Sequence, residues 1–327
     1  MYMKFLKPLR VIVSLLFFFF TLFVFVDFAA LLSAKVIGSL LYLQFIPSGL
    51  KFFGTISPAS AGIIFILILT LLFGRVYCST VCPLGTLQDF VIGVRTRIKR
   101  RIIFKFREPK NVIRYSVLVL VLLPLAFHSI FFLNLLDPYS ISGKIFTNLF
   151  RPVYIGGNNL LARMLHFLDN YSMYLVPVKI ISWGSFVFSG LIFLTIIVLP
   201  LFTNRWYCNI VCPVGTFLGL ISGISLFKLR INQSECNSCG LCERVCKADC
   251  IDFREKQINF NICIACFNCI KTCPHHGIGY GFRFKERNLS KRLIETSDSR
   301  RLFLKSAVAG TFGITGLFTV KNAQASN

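Results

Sequence analysis

The chain has 327 residues, of which 55% are hydrophobic, and its mean hydropathy is +0.70. Soluble globular domains rarely have this composition, which therefore favours a membrane protein. The net charge is +23, but the basic residues flank apolar runs, a pattern of membrane topology rather than nucleic-acid binding. Nine of the thirteen cysteines lie within residues 236–273, and their CxxC spacing favours metal ligation over disulfides.

Four apolar runs are long enough to cross a bilayer, which takes roughly 20 helical residues. The first run is too long for the apolar core of a cleaved signal peptide. Positive residues stay in the cytoplasm, so the N-terminus, the basic segment 95–110 and everything after the fourth run are expected to face inward. An amphipathic helix on the outer interface is predicted within residues 158–176. The predicted spans are residues 11–32, 56–74, 112–133 and 181–202.

A cysteine motif follows the second span and is repeated after the fourth. Residues 74–87 read GRVYCSTVCPLGTL and residues 204–217 read NRWYCNIVCPVGTF. The repeat predicts two halves related by an axis along the membrane normal, with the two cysteine turns side by side. Cysteines four residues apart share a helical face, and Pro83 and Pro213 predict the starts of new helices.

These turns form a candidate additional redox or metal site. The thiols are expected to hold a metal or cluster, to form a redox disulfide or to stay reduced, and the sequence leaves these alternatives open. Arg75 and Arg205 precede the two turns, either as positive-inside anchors or as cations that stabilise nearby thiolates. The four thiols are Cys78, Cys82, Cys208 and Cys212.

Two further cysteine runs have the spacing C-x2-C-x2-C-x3-C. Residues 236–246 read CNSCGLCERVC and residues 263–274 read CIACFNCIKTCP. This is the two-cluster ferredoxin pattern, in which the fourth cysteine of each run ligates the other cluster. The doubled run makes a zinc module the weaker interpretation. The first 4Fe–4S cluster is assigned to Cys236, Cys239, Cys242 and Cys273, and the second to Cys263, Cys266, Cys269 and Cys246.

The first run departs from the pattern after its fourth cysteine. Cys246 is followed by Lys247 instead of proline, and Cys250 lies four residues further on. Cys250 either competes as a ligand or is a buried free thiol, and the spacing favours the second. His275 and His276 lie beside the second run and are interpreted as surface residues.

One ionisable residue lies near the outer end of the first predicted span and another near that of the third. Asp27 and His128 form a candidate proton-accepting pair beside a quinone, or else both merely reach interfacial water. Beyond residue 285, SRRLFLK at 299–305 precedes a weakly apolar run and a small-x-small end. This resembles a twin-arginine export signal, with a fifth span or a peripheral helix as alternatives.

The paired Cys-x3-Cys-Pro turns followed by two ferredoxin runs resemble the NapH-type membrane ferredoxins, the membrane portion of NosR and the CcoG/RdxA group, over residues 11–280. The resemblance implies an electron-transfer subunit that relays electrons between the quinone pool and a partner reductase or oxidase. It also implies two 4Fe–4S clusters and no nucleic-acid partner. A redox-active assembly or maturation factor is the alternative implied by the CcoG group, and an iron–sulfur sensor is a third reading.

The predicted fold class is a membrane α-helical protein of the bacterial inner membrane. A four-span bundle of two repeated helical pairs precedes a small α+β two-cluster ferredoxin domain on the cytoplasmic side. A twin-arginine-like segment ends the chain. The predicted divisions are residues 1–110 for the first repeat, 111–230 for the second, 231–285 for the ferredoxin domain and 286–327 for the tail.

Overall fold

The protein is described here from a computed structural model of the full chain. Residues Met1–Phe282 form one compact unit and Arg283–Asn327 a second, and the twin-arginine-like segment lies outside the described residues. The predicted domain divisions remain predictions. The described residues are 5–27, 32–54, 61–98, 105–169, 172, 174–177 and 182–282.

The first half of the compact unit is mainly helical in its described part. Helix α4 (Gly62–Phe73) is followed by Gly74, whose φ of 79° favours glycine. The chain then makes the first cysteine turn, and a new helix begins at Pro83, as the sequence predicts. The helices are α1 (Leu6–Val26), α2 (Ala34–Tyr42), α3 (Phe45–Gly54), α4 (Gly62–Phe73), α5 (Tyr77–Thr80) and α6 (Pro83–Ile98).

The second half follows the same order of elements with one longer helix. A π-helical segment, Phe146–Phe150, joins the helix Pro138–Ile145 to the helix Arg151–Phe167 without a break. A second π-helical segment, Tyr207–Val211, carries the first cysteine of the second turn. A helix begins at Pro213, which confirms the second predicted helix start. The helices are α7 (Asn111–Ala126), α8 (Phe131–Leu136), α9 (Pro138–Ile145), α10 (Arg151–Phe167), α11 (Trp183–Thr203) and α12 (Pro213–Ser222).

Two of the described helices are long and apolar enough to cross a membrane. They are α1 and α11, each of 21 residues. Helices α4 and α7 have 12 and 16 residues, or about 18 and 24 Å, which is short of a hydrocarbon core of roughly 30 Å. Helix α7 ends just before His128, whose φ of 62° departs from helical geometry. The four-span bundle therefore remains a prediction.

The connections between the predicted spans contain helices that hydropathy did not predict. In the first half these are α2 and α3, and in the second half α8 and α9. The predicted interfacial helix at 158–176 differs most from the structure, because residues 158–167 are the end of a continuous helix that begins at Pro138. Buried Ile145 and Phe146 anchor that helix in the core, so packing decides its position.

Each half contains a helix break that places a polar side chain near its cysteine turn. In the first half Gln44 lies between α2 and α3, and Tyr77 Oη donates to its Oε1 at 3.1 Å. In the second half Asp137 lies between α8 and α9, where its carboxylate caps α9. Tyr207 Oη donates to the neighbouring Leu136 O at 2.8 Å. The structural repeat therefore extends well beyond the cysteine motif.

Helix α1 ties the two halves together by packing against both. Ser14 Oγ lies 2.7 Å from Thr86 Oγ1 on α6. Further along α1, the Phe18 ring meets the edge of Phe146 from the second half, with ring centroids 5.6 Å apart. The longest apolar helix of the first half is therefore a core element as well as a candidate span.

The cysteine-rich segment is a small α+β unit closed by its terminal strands. Strand β1 (Phe227–Ile231) pairs antiparallel with β4 (Ile278–Phe282), so the two ends of the segment meet. A second, shorter hairpin and two short helices lie between them. These are α13 (Leu241–Arg244), β2 (Ile251–Asp252), β3 (Gln257–Ile258) and α14 (Asn268–Thr272).

Glycine is required at one equivalent position in each half because of a close backbone approach. A Cβ atom at Gly85 would overlap Cys78 O, and one at Gly215 would overlap Cys208 O. The helix after each turn can therefore touch the carbonyl of the first cysteine only because these residues have no side chain.

We expect Gly85→Ala and Gly215→Ala each to destabilise the bundle by about 1–3 kcal/mol, because the added methyl forces the backbone apart. Gly93→Ala on the same helix α6 is the matched control, since its Cβ would have no atom within 4 Å. That control should be neutral or stabilising by about 0.5–1 kcal/mol. The measurement is the thermal unfolding midpoint in detergent, and an equal loss in all three variants would contradict the packing argument.

Candidate functional site

The two cysteine turns lie in the same buried region. Their four thiols are between 3% and 5% exposed and belong to one apolar cluster with Tyr77 and Tyr207. All thirteen cysteines, which lie within the described residues, are free thiols. The four thiols of the turns are Cys78, Cys82, Cys208 and Cys212.

Hydrogen bonds reach three of these four sulfurs. The backbone N–H three residues after Cys212 donates to Cys212 Sγ at 3.3 Å, and Cys82 accepts the equivalent bond. Cys208 Sγ donates to Gln88 Oε1 at 3.0 Å, while the buried Gln88 Nε2 has no partner. Donors already directed at Cys82 and Cys212, and the unpaired amide beside Cys208, suit sulfurs that gain negative charge on ligation or ionisation.

Burial dominates the ionisation of these thiols. It raises the pKa of all four, that of Cys208 to about 11. Arg205 and Arg75 lower the pKa of Cys208 and Cys78 without outweighing burial. The ligand-free thiols are therefore protonated at neutral pH, and the arginines by themselves do not make them thiolates.

The arginine before each turn binds the turn of the opposite half. Arg75 Nη1 donates to Gly215 O at 2.8 Å, and its Nη2 donates to Asn209 Oδ1 at 2.7 Å. Reciprocally, Arg205 Nη2 donates to Gly85 O at 2.8 Å. Both arginines are fully buried, so their guanidinium groups contact protein atoms, and their contribution to membrane topology remains a prediction.

Asp89 on α6 is the carboxylate that three cations share in one half. Its carboxylate lies 2.8 Å from Arg205 Nη2, 2.9 Å from Arg10 Nη2 and 3.2 Å from Lys247 Nζ. Burial by itself raises the pKa of Asp89, but Arg205, Lys247 and Arg10 together hold that pKa well below its usual range. One carboxylate therefore joins the N-terminal helix, the second cysteine turn and the cysteine-rich segment.

The eight ferredoxin-type cysteines divide into two groups by exposure. One group is partly or fully exposed and consists of Cys236, Cys239, Cys242 and Cys273. The other is fully buried and consists of Cys246, Cys263, Cys266 and Cys269. Each group contains three cysteines of one run and the fourth cysteine of the other.

Both runs wind their backbone in the same left-handed way around the second cysteine. The residues before and after Cys239, Ser238 and Gly240, have φ values of 56° and 71°. The residues before and after Cys266, Ala265 and Phe267, have φ values of 49° and 58°. Three of these four residues are not glycine, so each loop holds a conformation that costs free energy and that suits wrapping around a ligand.

Cys250 is a buried free thiol between two ligand candidates of the second cluster. Its Sγ lies 3.4 Å from Cys246 Sγ, and it also hydrogen-bonds Cys263. The sequence interpretation of Cys250 as a buried thiol thus agrees with its position, and its proximity also leaves it within reach of the same cluster.

The donor sets fit clusters better than single ions. Among the described residues, no group of three or more His, Cys, Asp or Glu side chains is arranged to hold one metal ion. A 4Fe–4S cluster holds its four thiolates on different irons and therefore further apart than a single zinc ion does. The two wound loops and their eight free thiols fit such clusters.

The turn residues also hold the cysteine-rich segment. Arg75 Nη1 donates to Asn261 O at 3.2 Å and its Nη2 to Ile262 O at 3.4 Å, directly before Cys263. Asn209 Nδ2 donates to Ala248 O at 3.1 Å. The paired turns and the loop of the second run are therefore joined by direct hydrogen bonds.

The other predicted site residues lie apart from this centre. Asp27 follows α1 and accepts from the Leu32 N–H at 3.3 Å. His128 is exposed after α7, and His275 and His276 are exposed, as expected of surface residues. The pairing of Asp27 with His128 at a quinone remains a prediction.

Sequence reasoning missed three polar residues of the centre, namely Asp89, Gln88 and Asn209. A signal for Asp89 was present, because it is the one acidic residue between Asp27 and Glu108. A lone acid in such an apolar and basic stretch is expected to have a buried cationic partner. Gln88 and Asn209 gave no comparable signal, because their roles depend on contacts with the opposite half.

A family model described as a 4Fe-4S binding domain matches the chain twice, over residues 58–101 and 185–232. Both matches cover a cysteine turn with the helix before it, and the same model therefore recognises the two halves separately. No solved structure shows a significant match.

Curated relatives match across the body of the chain. The uncharacterized protein MJ0750 of Methanocaldococcus jannaschii is 27% identical over 72% of this chain and 84% of its own length. The ferredoxin-type protein NapH of Haemophilus influenzae is 23% identical over 68% of this chain and 67% of its own length. The regulatory protein NosR of Stutzerimonas stutzeri is 25% identical over 62% of this chain, but only 24% of its own length. These matches and the two apolar helices indicate a membrane-associated iron–sulfur protein.

We expect Asp89→Asn to destabilise the protein by about 3–5 kcal/mol, because it leaves buried cations without a carboxylate. Exposed Glu255→Gln is the control. Since the pKa of Asp89 is lowered by folding, its stabilisation should be constant above an unfolded-state pKa of about 3.9 and disappear as the pH falls through the folded-state value. Denaturant or thermal unfolding from about pH 8 down to about pH 1 measures both effects, and a loss confined to the neutral range would contradict the assignment.

Proposed function

Since the chain is a ferredoxin-like electron-transfer protein of the NapH and NosR type, we propose that it relays electrons between the quinone pool and a partner redox enzyme. The relay begins in the apolar bundle and ends at the exposed face of the cysteine-rich segment. The observation that carries the proposal is the division of the eight cysteines into a buried and an exposed group. A 4Fe–4S cluster supplies one-electron transfer without a proton.

The exposure of the ligands orders the relay. We assign the buried group, Cys246 with the first three cysteines of the second run, to the inner cluster. The exposed group, Cys273 with the first three cysteines of the first run, holds the outer cluster. The inner loop contacts the bundle through Arg75, whereas Cys239 of the outer group is exposed to solvent. The partner enzyme therefore approaches the outer group.

The paired turns are the end of the relay nearest the membrane. Their four buried thiols, with backbone donors on Cys82 and Cys212, hold a further cluster or act as a redox dithiol. The 4Fe-4S description of the model that matches both turns favours the cluster. Arg75 joins this centre to the inner loop, because its guanidinium bonds Asn209 on one side and Ile262 O on the other.

The remaining parts of the proposal concern the membrane. Four spans place the N-terminus, the basic segment and the cysteine-rich segment on the cytoplasmic side of the inner membrane.

Quinol oxidation releases protons as well as electrons, and Asp27 and His128 are the candidates that accept them. Replacing them by Asn and Ala, respectively, should slow quinol-linked reduction if this pair serves the quinone, and unchanged rates would remove the pair from the proposal.

A pair of ligand variants tests the order of the relay. Cys266→Ser removes a buried ligand and Cys239→Ser its exposed counterpart. In anaerobic membranes, a menaquinol analogue should reduce the inner cluster in Cys239→Ser but no ferredoxin cluster in Cys266→Ser. Dithionite should still reduce the outer cluster in Cys266→Ser, because that cluster lies at the surface. Electron paramagnetic resonance provides the measurement. Quinol reduction of the outer cluster without the inner one would contradict the order, and no quinol reduction of the wild type would remove the quinone.

Iron analysis tests the content of the paired turns. Two ferredoxin clusters account for about eight iron atoms and eight acid-labile sulfides per chain. With a further cluster in the turns, the wild type should hold about four more iron atoms. Cys78→Ser or Cys212→Ser should then lose only those additional iron atoms. If the turns act as a dithiol, those variants should keep the wild-type iron content of about eight.

A further inference from the structure

The two halves of the bundle carry the same pair of arginines but not the same carboxylate. In the first pair, Arg10 near the start of α1 and Arg205 before the second turn meet at Asp89. The offset of 130 residues that relates Cys78 to Cys208 takes Asp89 to a glycine, Gly219. The two halves therefore differ at this position, where only the first half has a carboxylate.

The second pair of arginines meets at that glycine. Arg114 lies near the start of α7, as Arg10 lies near the start of α1, and Arg75 precedes the first turn. A Cβ atom at Gly219 would lie 3.0 Å from Arg114 Nη2 and 3.3 Å from Arg75 Nη1. It would also collide with Asn261 O, which occupies the space that a side chain at 219 would need.

Neutral groups alone surround this second pair in the described part of the chain. Arg114 Nη2 and Arg75 Nη1 both donate to Asn261 O, at 3.1 and 3.2 Å. Their other acceptors are the oxygens of Gly215, Ile262 and the side chains of Asn111 and Asn209. The Nε atom of each arginine is buried without a partner, and no described carboxylate pairs with either guanidinium.

Two fully buried cations without an anion are costly, because burial removes the solvation of each charge and the two repel each other. Two of the carbonyl groups they bind belong to Asn261 and Ile262, immediately before Cys263. A 4Fe–4S cluster with four thiolate ligands is an anion, and its reduction adds one further negative charge. This half therefore has no carboxylate beside its two arginines, but the loop they bind is the one that would hold an anionic 4Fe–4S cluster.

We propose that Arg75 and Arg114 are counter-charges of the inner cluster and raise its reduction potential. This inference rests on the proposed function, because it requires a cluster on the Cys263 loop. Arg75 and Arg114 act as positioning residues: they hold the loop by its carbonyl groups and stabilise the reduced state by their charge.

The test is a redox titration of the purified full-length protein followed by electron paramagnetic resonance. A Cys239→Ser background removes the outer cluster's signal so that the inner one is followed alone. Arg114→Gln and Arg75→Gln should each make reduction at least tenfold less favourable, a fall of about 59 mV for one electron. Arg114→Lys and Arg75→Lys, which keep the charge, should shift the potential by less than half as much. Arg254→Gln, at an exposed arginine, is the matched control and should leave it unchanged.

Equal shifts in the Gln and Lys variants would overturn the proposal, because they would assign the effect to hydrogen bonding rather than to charge. An unchanged potential in all four variants would overturn it as well. If a Gln variant folds but loses the inner cluster's iron while its Lys counterpart keeps it, the charge requirement is supported. Arg114→Gln carries the test if Arg75→Gln fails to fold, since Arg114 does not bind a cysteine turn. An iron-free wild type would remove the relay and this inference together. Clusters that show the charge effect but are not reduced by quinol would remove the quinone relay alone.

Discussion

The structure depends on two buried guanidinium groups, each of which binds the cysteine turn of the opposite half of the bundle. Arg75 closes on the turn that contains Gly215, and Arg205 closes on the turn that contains Gly85. Each cation gives up solvation that only several well-directed acceptors can replace. The exchange therefore fixes the distance between the two cysteine turns and holds their thiols in one region, which neither half provides alone.

The same contacts fix the cysteine-rich segment on the bundle. Lys247 reaches Asp89, Asn209 reaches Ala248 O, and Arg75 reaches the backbone before Cys263. The segment is thus attached through its buried cysteine group, which leaves the exposed group, including Cys239, toward solvent. Solvent exposure of the cysteines therefore increases from the group beside the bundle to the outer group.

The departure from internal symmetry is as informative as the symmetry. Asp89 is the carboxylate partner of Arg10 and Arg205 in one half, whereas Gly219 leaves room for the Asn261 carbonyl between Arg75 and Arg114 in the other. The two halves thus carry equivalent pairs of arginines, and the one without a carboxylate binds the backbone of the ferredoxin-type loop.

The sequence by itself determined the elements whose signals are local. Hydropathy over about 20 residues identified α1 and α11, and proline placed the starts of α6 and α12. Cysteine spacing assigned the eight ferredoxin-type cysteines to two groups, and these groups differ in burial in the structure. The tertiary structure decided everything that depends on contacts across more than 100 residues. The partners of Arg75 and Arg205 and the role of Asp89 belong to this class. A buried charge or amide is defined by its acceptors, and those acceptors come from distant parts of the chain that no local pattern can identify.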